Sequence, residues 1–131
     1  MIVLDEQLLG RGIEQDIAKW YQGKVLFITD LRPNSVVKDE AVPELLRGSM
    51  QPTFVTINES DFWKRILADK KYCIVCLAWS DARVREIPAA LRALLGRIEF
   101  NTKVKRMGKV IRLGGESLKY YAALQRQVII L

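Results

Sequence analysis

The chain has 131 residues, half of them hydrophobic, and a net charge of +6. That is the length of one domain with enough apolar material for a core of its own. It contains no histidine, which excludes Ser-His-Asp and Cys-His catalysis, imidazole acid–base chemistry and the usual His-containing zinc sites.

Met1 to Asp5 is a short apolar run ending in an acid. Leu9, Ile13, Ile17 and Trp20 then recur at helical spacing, so residues 8–21 are expected to form an amphipathic helix stopped at Gly23. Val25-Leu26-Phe27-Ile28 is a second strand ending near Asp30. Asp39 or a neighbour opens a helix carrying Val42, Leu45 and Leu46, with Pro43 in its first turn, where a missing N–H costs little. Thr53 to Ile57 is a β-branched strand, and a helix with Phe62, Trp63, Ile66 and Leu67 is expected after it. Residues 72–79 form a fourth apolar strand and residues 83–97 a further helix. A basic loop follows over 99–108. Lys109–Leu113, Gly114-Gly115 and Ser117–Tyr121 then make a closing hairpin. The final run, Val128 to Leu131, is too apolar for a free tail and should dock on the body or on a second copy in a homodimer.

Four alternations of helix with unbroken apolar strands indicate an α/β fold. Its expected form is a mainly parallel central sheet, helices on both faces and a C-terminal β-hairpin, all in a single domain over 1–131. No apolar stretch approaches the roughly 20 residues needed to span a bilayer, and Asp5 and Glu6 interrupt the first one. A cytoplasmic location without a membrane partner is the expectation. Cys73 and Cys76 lie within a strand rather than at a helix start, so buried, inert thiols are expected instead of a redox pair.

Charge is unevenly placed. Residues 97–131 hold eight Lys/Arg against Glu99 and Glu116, so the whole excess of six lies there. Lys103, Lys105, Arg106 and Lys109 are the candidate nucleic-acid contacts, because a concentrated basic segment is the footprint of a polyanion binder. A solvated basic surface is the plain alternative. Trp20, Trp63 and Trp79 fall at core positions, whereas one of Tyr120 and Tyr121 should face outward as a stacking platform.

Ligands of open parallel sheets bind beyond the carboxyl ends of the strands. Asp5, Asp30, Asp61 and Asp81 sit at or just past such ends, and Asp39 and Glu40 begin the second helix. Each acid alone could be a cap or a solvated turn residue. Converging carboxylates repel one another, and a hard divalent cation removes that penalty with chemistry that needs no histidine.

The same segments resemble a known family. Val3-Leu4-Asp5-Glu6-Gln7-Leu8 looks like the Leu-Asp-Glu-Asn-Leu opening of compact bacterial PIN-like proteins. Lys38-Asp39-Glu40-Ala41-Val42 is similar to their Asp-Glu-x-Ile segment, and Phe54 to Phe62 to their Val-Thr-x-Asp-x-Asp-Phe segment. Gly108-Lys109-Val110-Ile111-Arg112 is similar to their closing Gly-Lys-Val-x-Arg strand. The resemblance implies a PIN-like fold and a Mg²⁺- or Mn²⁺-dependent ribonuclease, often the toxin of a pair with an antitoxin protein, acting on RNA. It carries catalysis to Asp5, Asp39, Glu40 and Asp61, and metal binding to Asp5, Asp39, Asp61 and Asn58. Asn58 departs from the pattern: it stands where the family has an aspartate, and one extra residue separates it from Asp61. A catalytically degenerate PIN-like domain that binds nucleic acid or a protein partner is the alternative.

Overall fold

In the computed structural model, which describes residues 1–125 and 127–131, seven strands form one sheet in the order β2-β1-β3-β4-β5-β6-β7. Arg126, one of the eight cations of the tail third, lies outside the described residues. Strands β1 (Ile2–Leu4), β2 (Val25–Phe27), β3 (Thr53–Thr56), β4 (Cys73–Leu77) and β5 (Lys109–Gly114) are mutually parallel. β6 (Ser117–Ala122) returns antiparallel to β5 across the two-residue turn Gly115-Glu116, as the hairpin expectation had it. β7 (Ile129–Ile130) then pairs antiparallel with β6, so the apolar C-terminal run docks on the body of its own chain.

The fully apolar strands reflect burial on both sides. Ile2, Leu4, Val55, Cys73, Val75, Leu77 and Ile111 pack with Ile13 and Ile17 of α1 (Ile13–Ala18) and with Ile87, Leu91, Leu94 and Leu95 of α4 (Ile87–Leu95). Val3, Phe54, Ile74, Cys76 and Val110 face the other way, against Val42 and Leu46 of α2 (Val42–Arg47) and Phe62 of α3 (Glu59–Phe62). Two three-residue strands could not be stable alone; being held between two apolar layers removes that difficulty. Cys73 and Cys76 belong to opposite faces and are both buried free thiols, as expected. Burial pushes the Cys73 thiol up to about 12.

Three helical expectations are corrected. The helix over 8–21 begins only at Ile13, because Gly10 and Gly12 take left-handed backbone (φ 75° and 74°) and a 3-10 turn covers Glu6–Leu8. The helix after β3 stops at Phe62, where Trp63 turns extended and Lys64 goes to φ 61°. Leu67, expected on its apolar face, is exposed. The segment 83–97 divides into a 3-10 turn, Asp81–Glu86, and α4, with Pro88 in the first turn of α4. The basic loop contains a single helical turn, α5 (Lys103–Arg106).

Among the described residues, no helix is long and apolar enough to cross a membrane.

Candidate functional site

The strand order reverses direction between β1 and β3: from β1 the chain moves outward to β2, then returns past β1 to β3, β4 and β5. Such a switch point opens a crevice at the carboxyl ends of the two strands. Asp5 leaves β1 there, and Thr56, Asn58 and Asp61 leave β3.

Asp5 is almost completely buried. Its backbone N–H continues the β1–β3 ladder to the Val55 carbonyl at 2.9 Å, and its Oδ2 accepts the Thr56 hydroxyl proton at 2.6 Å. Thr56 is itself buried, and its Oγ1 accepts the Asn58 N–H at 2.9 Å. Loss of hydration raises the Asp5 pKa, and the Thr56 bond works against that rise.

Asn58 is the hub. Its Nδ2 donates to Asp61 Oδ2 at 2.7 Å and to Asp39 Oδ2 at 3.2 Å. Its Oδ1 caps α3 by accepting the Asp61 N–H at 3.4 Å and also takes the Ser60 hydroxyl at 3.2 Å. Asp39 arrives from the other side of the crevice, on the 3-10 turn that leads into α2. Its pKa is raised to about 6, first by burial, then by the neighbouring Asp61 carboxyl and by the charges of Asp5, Asp61 and Glu40. The Asp61 carboxyl, bonded to Asn58 and Asp39, lies below the usual range. Of the expected acids, Asp39 and Asp61 therefore meet at one amide, and Asp5 is linked to that hub only through Thr56 and the Asn58 backbone N–H. Glu40 is exposed and adds like charge to Asp39.

The remaining strand-end acids differ. Asp30 is spent locally, accepting the Phe27 N–H at 2.9 Å. Asp81 is held by Arg11, whose Nη2 lies 2.8 and 3.0 Å from its two carboxylate oxygens. Gln7, Arg11, Ile57, Asn58 and Asp81 line a cleft of about 460 Å³. On the opposite flank Arg112 Nε donates to Glu59 Oε1 at 2.6 Å. Thr56, Arg11 and Arg112 were not among the expected site residues. Thr56 carries no signal in a β-branched strand, whereas Arg11 stands between two glycines, a pattern that favours irregular backbone.

The basic segment lies elsewhere. Lys109 begins β5, level with Cys73 at the start of β4 and with Thr53 at the start of β3. It is therefore at the end of the sheet opposite the acids, roughly 15 Å away along the strands. Three of its cations fasten successive carbonyls of the preceding loop: Lys105 to Ile98, Lys109 to Glu99 and Arg106 to Phe100, at 3.0, 3.1 and 2.9 Å. Arg106 corrects the expectation of a phosphate contact, because its guanidinium is buried beneath this loop. Lys103 and Lys105 are exposed and Lys109 is half-buried. Tyr120 packs edge-on to Phe100 and Tyr121 packs on Trp63, so neither stands out as a free stacking platform.

Among the described residues, no three Asp, Glu or Cys side chains close into a ready metal cage. The donor set is nonetheless one for a hard cation. Mg²⁺ takes one or two carboxylates and completes its shell with other oxygens, and Asp39 and Asp61 supply two within reach of one amide. Turning the Asn58 amide over would exchange its Nδ2 for an oxygen facing both acids. Comparison with family models, with curated proteins and with solved structures finds no match for the chain.

Proposed function

We propose that this protein is a PIN-like, metal-dependent endoribonuclease, using Mg²⁺ or Mn²⁺, and that it is the toxin of a toxin–antitoxin pair. The observation that carries the nuclease reading is the meeting of Asp39 and Asp61 at Asn58 Nδ2, beside buried Asp5, at the switch point of the sheet. The PIN-like and toxin parts rest on the sequence resemblance. Asp39, Asp61 and Asp5 would hold the cation, with Asn58 contributing its amide oxygen. The cation would lower the pKa of a water and neutralise charge on the phosphate. The chain's own work is positioning: Thr56 fixes Asp5, and Asn58 spaces Asp39 from Asp61.

Asn58 also supports a second reading, a catalytically degenerate domain that binds nucleic acid or a protein partner, because an uncharged amide occupies the centre of the acids. Incubation of purified protein with single-stranded RNA separates the two. The nuclease reading expects cleavage with Mg²⁺ or Mn²⁺, none with chelator, and none from Asp5→Asn. Asn58→Asp should raise activity by restoring a third charge at the hub. Wild-type protein inert on RNA under every divalent condition leaves the degenerate domain.

A further inference from the structure

We propose that Arg11 is a phosphate-binding residue for a single-stranded polynucleotide, and that Asp81 occupies its guanidinium until the substrate displaces it. The inference deepens the nuclease reading and rests on it for the identity of the ligand. A polyanion approaching a crevice of Asp5, Asp39 and Asp61 needs local positive charge. The basic segment 103–109 cannot provide it, because it sits at the other end of the sheet. Of the arginines beside the acids, Arg112 is engaged by both Glu59 and Ser117, and Arg65, whose charge helps lower the Asp61 pKa, lines a different pocket with Leu67 and Tyr121. Arg11 instead lines an open cleft of about 460 Å³ whose wall includes Asn58.

The backbone around Arg11 is built to place it. Gly10 and Gly12 both take φ near +75°, and a Cβ at either position would meet nothing within 4 Å. These glycines serve conformation rather than space: they interrupt what the apolar spacing would otherwise make a continuous helix and bring Arg11 to the crevice. Asp81 engages it through one guanidinium nitrogen only, Nη2, which reaches both carboxylate oxygens, so the two-nitrogen fork that a phosphate oxygen pair would use is not taken up by Asp81. That carboxylate is mostly exposed, with 69% of its side-chain surface accessible, so the pair is held weakly and can be exchanged.

The test measures binding of a short single-stranded oligoribonucleotide in chelator, so that cleavage plays no part, for wild type, Arg11→Ala, Arg11→Lys and Asp81→Asn. Arg11→Ala should weaken binding roughly tenfold or more and reduce the log–log salt slope by about 0.7, one phosphate contact on a single strand. Arg11→Lys should keep the slope and lose part of the affinity, since it retains charge but not the fork. Asp81→Asn should tighten binding; were the pair merely structural, it would weaken binding or leave it unchanged. No binding by wild type, an unaltered slope in Arg11→Ala, or no gain in Asp81→Asn overturns the proposal. Metal-dependent cleavage by Arg11→Ala with an unchanged KM would overturn it while leaving the nuclease intact. Arg11-dependent binding without cleavage by wild type would do the reverse.

Discussion

Replacing Thr56 by Val deletes one oxygen at the most buried point of the site. Val keeps the β-branched shape that β3 requires. Two hydrogen bonds go with the hydroxyl: the 2.6 Å bond to Asp5 Oδ2 and the 2.9 Å bond from the Asn58 N–H. A hydrogen bond to a charged group contributes about 1.5–3 kcal/mol and a neutral one about 1 kcal/mol. Asp5 is too buried for water to replace the first bond freely, whereas Asn58 is only partly buried. The expected cost near neutral pH is therefore about 2–4 kcal/mol, or roughly 6–15 °C in Tm for a chain of this size. The sign with pH follows from which form of Asp5 the bond favours. Burial raises the Asp5 pKa and the Thr56 hydroxyl opposes that rise, so the bond stabilises the carboxylate. Its loss should weigh most at pH 7 and shrink toward the value of a neutral bond as Asp5 protonates. Urea unfolding at pH 7 and pH 3 measures both limits, with Thr56→Ser as the control that retains the hydroxyl. A penalty equal at the two pH values, or below about 0.5 kcal/mol at pH 7, would refute the reasoning.

The Asp39 carboxyl, held at about 6 by burial, by the adjacent Asp61 carboxyl and by neighbouring charge, favours the fold in its protonated form. That contribution is complete below about pH 4 and is lost as pH rises through 6. Asp39→Asn should therefore be more stable than wild type at pH 7 and equal to it below pH 4; a less stable variant at pH 7 contradicts the repulsion. Arg106→Ala should cost about 2–4 kcal/mol in urea unfolding, because it removes a buried bond to the Phe100 carbonyl and the packing of its stem. Lys103→Ala, at an exposed position, should fall within about 0.5 kcal/mol of wild type; equal losses in the two variants would show that the basic segment has no structural division of labour.

Much of this was legible in the chain. Runs such as Cys73 to Leu77 are apolar at every position because both faces are covered, and the acids following such runs mark one end of a parallel sheet. The same logic places the basic segment at the other end, since it precedes β5 rather than following a strand. Its charge density drew attention to phosphate, yet three of its cations bind loop carbonyls. Apolar spacing alone carries the first helix back to Leu9, whereas the left-handed backbone of Gly10 and Gly12 holds its start at Ile13. The early end of α3 has no sequence signal: Trp63 and Lys64 are ordinary helix residues, and tertiary packing of Trp63 on Tyr121 decides the turn. Thr56 and Arg11 were silent for a related reason, because their roles depend on neighbours more than fifty residues away in the chain.

The position of Mn²⁺ in crystals soaked at neutral pH tests the central claim most directly, since its anomalous scattering locates the ion without reference to activity. We expect one peak coordinated by Asp39 and Asp61, with Asp5 facing it and the Asn58 amide turned to present its oxygen. An empty crevice at saturating Mn²⁺, or a peak confined to surface carboxylates such as Asp81 and Glu86, would contradict the assignment of these acids as a metal site.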